Sequence, residues 1–312
     1  MKTKNLYIVI LAVFSFLVIW IFIWFFLTDV KEKNFITWLQ SSDKIKNFKY
    51  SKLKKKGFPN RIDLMYENFE VKTHSPDYTI IAKHFQIFNI IYQKNLTIIS
   101  TNPEVLLKTK RNNYLLVSEK FLTSVKKNKK LFYTTITSEI DNLKINFNNK
   151  QSILINNLLF SSKINNDKKK NELEFFINSQ NIKFNILDTE MDQLLLKGQF
   201  FDDNIQIIKL DEFILNGNLF DLNLKGKIQI KDNKIVGGKL NLNILGWKRI
   251  LEYFKANDTI NVKTFKLLNG GFSLIEIFQK NKKINFEIFF DEKFIEIGPV
   301  KINNNYNLAD FF

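Results

Sequence analysis

The chain contains no cysteine, only 2 histidines and 4 prolines, and just 10 glycines in 312 residues. Without cysteine there is no disulfide scaffold, thiolate metal site or cysteine nucleophile. The two histidines, His74 and His84, are ten positions apart, and could ligate a metal only with carboxylates that spacing does not identify. So few glycines exclude a collagen-like chain and argue against phosphate-cradling loops. No Walker loop, G-x-S-x-G or H-E-x-x-H is present. Ser51-Lys52-Leu53-Lys54 and Ser124-Val125-Lys126-Lys127 match S-x-x-K, but the S-D-N and K-T-G partners are missing and lysine is abundant. Asp188 and Asp192 are spaced i, i+4, which reads as solvation of a helix rather than a carboxylate pair at work. No catalytic, cofactor-binding or metal-ligating residue is assigned, and a non-enzymatic protein without a cofactor is expected.

Arginine is scarce too. Lys+Arg number 47 against 31 Asp+Glu, a net charge of +16, yet Arg61, Arg111 and Arg249 are the only arginines. Nucleic-acid readers favour arginine, whose planar fork makes two-point contacts with phosphate and guanine. Lys, Asn, Ile and Phe have AT-rich codons, so much of the lysine excess reads as mutational bias. Nucleic acid is therefore not an expected partner. Clusters such as Lys52 to Lys56, Lys126 to Lys130 and Lys168 to Lys170 fall between apolar runs, where solvated turns belong.

What the chain does have is one long apolar run. Leu6 to Leu27 is 22 residues without a charge. At 1.5 Å per residue that is about 33 Å of helix, enough for a hydrocarbon core of about 30 Å. Trp20 and Trp24 stand toward its C-terminal edge, as interfacial anchors do. The run ends Ile23-Trp24-Phe25-Phe26-Leu27, without the small residues of a cleavage site. Residues 1–28 are thus read as an uncleaved signal anchor, partnered by the lipid bilayer. Lys2 and Lys4 precede it; Lys31 and Lys33 follow, offset by Asp29 and Glu32. That balance favours a cytoplasmic N-terminus, with the main domain in the periplasm of an inner-membrane, single-pass protein.

Residues 29–48 read as a juxtamembrane helix, with Phe35, Trp38 and Leu39 on one face. The period then changes from 3.6 to 2. Phe220, Leu222 and Leu224, then Ile228 and Ile230, then Leu240, Leu242 and Ile244, then Phe286 and Ile288 alternate with polar residues. Turn-forming pairs separate them, including Asn216-Gly217, Asp232-Asn233 and Gly237-Gly238. The expected fold is mainly β: a transmembrane helix, then long antiparallel curved sheet with a few short helices. Residues 49–312 form the β-rich extracytoplasmic domain, with two lobes dividing near 135–150. One helix is expected at Trp247–Phe254, where Trp247, Ile250, Leu251 and Phe254 share a face, and a second at Asp188–Leu196. The alternating apolar positions are the candidate groove. The same pattern suits a closed sandwich and an open face covered by acyl chains.

The densest local motif is Gly57-Phe58-Pro59-Asn60-Arg61-Ile62-Asp63-Leu64. Gly57 frees φ, Pro59 fixes it, and Arg61 can pair with Asp63, while Phe58 is expected to plug the base of the sheet. This reads as a structural corner joining the helix to the first strands. An anchor, a helix containing Trp38, the strand Tyr50 to Leu53 and this motif resemble the alphaproteobacterial domain of unknown function family 2125, chiefly over residues 30–70. The resemblance carries over no catalytic residue. More distantly, Phe213 to Leu219, Gly226 to Asn233 and Gly238 to Ile244 resemble the strand–turn–strand lines of AsmA-like envelope proteins. That resemblance implies a β-groove holding acyl chains, on a chain too short to cross a periplasm alone. Two functions stay open: lipid binding or outer-membrane biogenesis through an apolar β-groove, with a phospholipid ligand, or an interaction scaffold for envelope proteins with a closed β core.

Overall fold

The computed structural model describes residues 3–74, 77–110, 112–128, 133–147, 152–165, 172–184, 189–202, 204–218, 220–232, 234–256, 261–279, 283–298 and 300–303. The fold is mainly β: an N-terminal apolar helix, long antiparallel sheet of seventeen strands among the described residues, and two short helices. The chain divides into two compact units, residues 1–127 with 144–150, and residues 128–143 with 151–312.

The first unit opens with α1 (Thr3–Ser41), a single helix of 39 residues, or about 58 Å at 1.5 Å per residue. It includes one segment long and apolar enough to cross a membrane. The helix stops at Ser41, short of the expected residue 48. Ile45–Lys49 is already strand β1, because Ile45 and Phe48 pack on a sheet rather than along a helix face. Strands β2 (Lys52–Lys56), β3 (Arg61–Thr73), β4 (Thr79–Ile90) and β5 (Leu96–Lys108) follow. β6 (Asn113–Val117), β7 (Lys120–Asn128) and the end of β8 (Tyr133–Asn146) complete the unit. β1 and β2 both pair with β3, which leads to β4 and β5; β5 then carries β6 and β7. The core lies between α1 and this sheet. Trp24 and Leu39 of the helix bury against Ile62, Leu64, Tyr66, Phe69 and Ile87, with Phe35 packed on them. Trp24, Thr28, Phe35 and Leu39 recur at three to four residues or its multiples, so one helical stripe faces the strands.

In the second unit the rest of β8 is followed by β9 (Ser152–Asn165), β10 (Glu172–Phe184), β11 (Thr189–Phe201), β12 (Gln206–Gly217), β13 (Asp221–Lys231) and β14 (Lys234–Leu245). Helices α2 (Trp247–Ala256) and α3 (Val262–Gln279) interrupt the meander before β15 (Lys283–Asp291), β16 (Phe294–Ile297) and β17 (Val300–Asn303). β9 through β17 pair in chain order, all antiparallel, with β14 meeting β15 across the helical insertion. At the β13–β14 connection Lys231 opposes Lys234 and Asp232 has φ 49°; Asn233 of the expected turn lies outside the described residues. Gly237-Gly238, expected as a turn, lies inside β14 instead.

The expected helix at Asp188–Leu196 is replaced over its described part by β11. Met191, Leu194 and Leu195 fit one helical face, but Leu194 and Leu196 also alternate, and β10 and β12 hydrogen-bond the segment from both sides. Two satisfied ladders outweigh the small propensity difference. Helix α2 stands where expected; Trp247 and Leu251 are buried and Ile250 packs against them, whereas the side chain of Phe254 lies outside the described residues. Helix α3 carries no expectation from the sequence; the Gly270-Gly271 pair at its centre has low helix propensity.

Candidate functional site

The anchor and the corner meet. The indole N–H of Trp24 donates to the Arg61 carbonyl at 2.8 Å, and that of Trp20 to the Pro59 carbonyl at 3.2 Å. The Trp24 and Phe58 rings contact edge to face, with centroids 5.9 Å apart. Trp20, Trp24, Gly57, Phe58, Pro59, Arg61 and Asp63 therefore form one site. Gly57 sits at φ +101°, and a Cβ there would lie 2.6 Å from the Arg61 carbonyl oxygen, so no other residue fits. The Phe58–Pro59 bond is cis. Phe58 does not plug the sheet; it is 46% exposed and rests on the helix, because the corner turns it outward toward Trp24. Arg61 binds buried Asp63 with both prongs, Nε at 2.7 Å and an Nη at 2.8 Å. At this level the rest of the helix surface is naked: Phe22 is 71% and Phe26 67% exposed, while Leu27 packs on the core; the side chain of Leu6 lies outside the described residues. On the other side Lys55 bridges Asp29 at 2.6 Å and Glu32 at 2.7 Å, tying β2 to α1. The bond to Lys55 holds the Asp29 carboxyl below its usual range, and the bonds to Asp29 and Glu32 raise Lys55.

The second surface is the alternating face of the second unit. Phe160, Ile177, Leu196, Phe213, Leu224, Leu242 and Phe286 stand opposite one another in register across seven strands. The next row runs Leu158, Ser179, Leu194, Leu215, Leu222, Ile244 and Ile284. Seven strands at about 4.8 Å make a stripe about 29 Å wide. A bulge keeps it continuous. Leu210 opposes Gly226 but Phe213 opposes Leu224, so β12 holds one extra residue at Asp211-Glu212. Without it Phe213 and Leu215 would face away from Ile208 and Leu210.

The cover over this face is uneven. At β13 to β15, α2 and α3 close a dry cluster: Ile244, Trp247, Leu251, Phe272, Ile284 and Phe286 are buried, with Leu222, Leu242 and Ile288 packed on them. Leu240 and Ile230 are buried as well, while Leu224 and Ile228 are half-buried. Phe160, Ile177, Leu196 and Phe213 are half-buried, and among the described residues β9 to β12 make their substantial contacts with neighbouring strands alone. The apolar face there is an open surface rather than an enclosed pocket. Phe220 lies apart from it, in the β12–β13 loop, where it lines a cavity of about 410 Å³ with Trp247, Lys248, Arg249 and Glu276. Lys248 and Glu276 are paired there at 2.9 Å. A depression of about 430 Å³ lies among Asn223, Asn241, Asn243 and Asn285 of the polar face.

Among the described residues no three His, Asp or Glu side chains converge on a point that could hold a metal. Sequence reasoning missed the exposed stripe of α3, where Leu267, Leu274, Ile277 and the 82% exposed Phe278 look outward. The spacing of Phe265, Leu268, Phe272 and Ile275, which pack inward, was the available signal. No family model, curated protein or solved structure matches the chain.

Proposed function

We propose that this is a non-enzymatic, membrane-anchored cell-envelope protein whose open apolar sheet face binds phospholipid acyl chains. The carrying observation is the in-register row from Phe160 to Phe213, half-buried and without a protein cover among the described residues, beside a helix-capped end that is buried. Large apolar patches exist on soluble domains only when something covers them. Chain by chain, each buried methylene contributes about 0.8 kcal/mol, so an acyl chain lying along the stripe is held without any polar contact. The N-terminal helix, long and apolar enough to span a membrane, supports a bilayer anchor, and the inner membrane with a periplasmic main domain is the topology the flanking lysines favour. The resemblances to domain of unknown function family 2125 and to AsmA-like proteins point the same way.

Protein extracted from native membranes in a mild detergent carries phospholipid by native mass spectrometry if the reading is right; lipid-free protein overturns it. A C-terminal alkaline phosphatase fusion is active if the domain is periplasmic, and an inactive fusion reverses the topology. A second reading, a scaffold for an envelope complex, draws on the exposed α3 stripe, and predicts a specific protein crosslinked through Ile277 or Phe278.

A further inference from the structure

We propose that the Gly57–Arg61 corner is a wedge seated inside the edge of the bilayer beside the anchor, rather than a turn in water. The inference rests on the reading of α1 as a membrane span and adds a second element to it.

Height along the helix carries the argument. The first charged residue after the apolar run is Asp29. Trp20 lies nine residues before it and Trp24 five, which at 1.5 Å per residue is about 13 Å and about 7 Å deeper. Helical side chains lean toward the N-terminus, so the indoles reach deeper still. The corner is bonded at those depths, through the Pro59 carbonyl to Trp20 and the Arg61 carbonyl to Trp24. On the flanks of the same helical turn Phe22, Phe25 and Phe26 are exposed. Three exposed phenylalanines require hydrocarbon around them, and the corner shares their level.

The corner is also chemically prepared for scarce water. Unpaired backbone groups are costly in lipid. Its carbonyl oxygens at Gly57, Pro59, Asn60 and Arg61 all accept hydrogen bonds, from Arg61 N–H, Trp20, Ile91 N–H and Trp24. Pro59 has no N–H to satisfy. The one cation, Arg61, is neutralised by Asp63, through one hydrogen bond from an Nη and an ion-pair contact at Nε that leaves Oδ1 without a hydrogen bond, and it stacks over the Phe88 ring at 5.2 Å. Phe58, the most outward apolar side chain, is then the tip that enters the acyl region.

The absence of native cysteine makes the test direct. Full-length F58C, F22C and Q40C are each labelled with a small fluorophore and reconstituted in phosphatidylethanolamine–phosphatidylglycerol vesicles, with either nitroxide lipid or aqueous iodide as quencher. Gln40 is exposed and lies sixteen residues, about 24 Å, beyond Trp24 on the same helix. The wedge predicts that F58C matches F22C within about twofold in lipid quenching and is shielded from iodide, while Q40C shows the reverse. If F58C behaves like Q40C while F22C is lipid-quenched, the wedge is wrong and the span stands. If F22C itself is not lipid-quenched, the span reading fails and the wedge with it. Lipid quenching at Q40C as well overturns any special placement of the corner. Should F58C fold poorly, N60C at the same exposed turn gives the same readout.

Discussion

Tyr66 sits at the centre of the first unit with its hydroxyl buried and without a hydrogen-bond partner. Its ring is well placed, with Tyr50, Phe35, Phe69 and Phe85 centroids 5.0 to 6.2 Å away. The ring stabilises and the oxygen costs. An unsatisfied buried hydroxyl costs about 1–3 kcal/mol, so Tyr66→Phe is expected to stabilise the first unit by about 1 kcal/mol. With a urea slope of about 1–3 kcal/mol/M, the midpoint rises by about 0.3–1 M. Phe35→Ala, which removes the helix's ring from the same cluster, lowers stability by about 3 kcal/mol or more. Urea unfolding in detergent, followed by the fluorescence of Trp24 and Trp38, reads both. Burial, then the Glu32 charge, then Tyr50 raise the Tyr66 phenol above its usual value of 10. A raised folded value contributes stability that is present below pH 10 and lost as pH climbs above it. Tyr66→Phe removes that alkaline component. A variant less stable than the parent by 1 kcal/mol would mean the hydroxyl has a partner, and the reasoning would fail.

Three further outcomes are expected. Leu196→Glu places a carboxylate in the open row, desolvates it under lipid, and reduces co-purifying phospholipid at least about tenfold at unchanged circular dichroism, each tenfold corresponding to about 1.4 kcal/mol; undiminished lipid argues against the stripe. Gly226→Ala forces a Cβ into the Lys239 carbonyl oxygen at φ +145°, and thermal unfolding should show a loss of at least about 1–3 kcal/mol. Lys55→Met removes the partner that depresses Asp29, so the Asp29 carboxyl titrates at a higher pH by NMR, back toward 3.8; an unmoved titration shows the pair does not form in solution.

Much of the architecture was legible because two periodicities are strong. Leu6 to Leu27 has no polar face, which points to a helix long and apolar enough to span a membrane, and a helix stands there. Leu222/Leu224 and Leu240/Leu242/Ile244 alternate so cleanly that two neighbouring strands follow, but their register, Leu222 with Ile244 and Leu224 with Leu242, depends on the irregularity between Gln229 and Ile230, which shifts the pairing by one residue from that of Lys231 with Lys234. Boundaries and exceptions were not legible. Residues 29–48 read as helix because Phe35, Trp38 and Leu39 are spaced for one, but the strand beginning at Ile45 is dictated by its partner Thr73, distant in sequence. Met191, Leu194 and Leu195 fit the helical period while Leu194 and Leu196 fit the strand period, and the ladders on either side decide. The glycine pair in α3 costs about 2 kcal/mol of helix propensity, which packing of Phe272 against Trp247 and Phe286 offsets. Of the candidate site, the corner and the two tryptophans were each visible; their contact was not, since nothing local in sequence links position 24 to position 61.

An uninterrupted α1 has a mechanical corollary. On the proposed reading of α1 as a span, a hinge between membrane and body would let the two turn independently, whereas here one unbroken helix serves both. Inserting a single residue before Trp24 leaves greasiness and length almost untouched, yet rotates everything upstream by about 100° and moves Trp20 away from its carbonyl. A borrowed leader of equal oiliness would keep the chain at the bilayer but lose its azimuth, so this anchor behaves as a keyed shaft rather than a string.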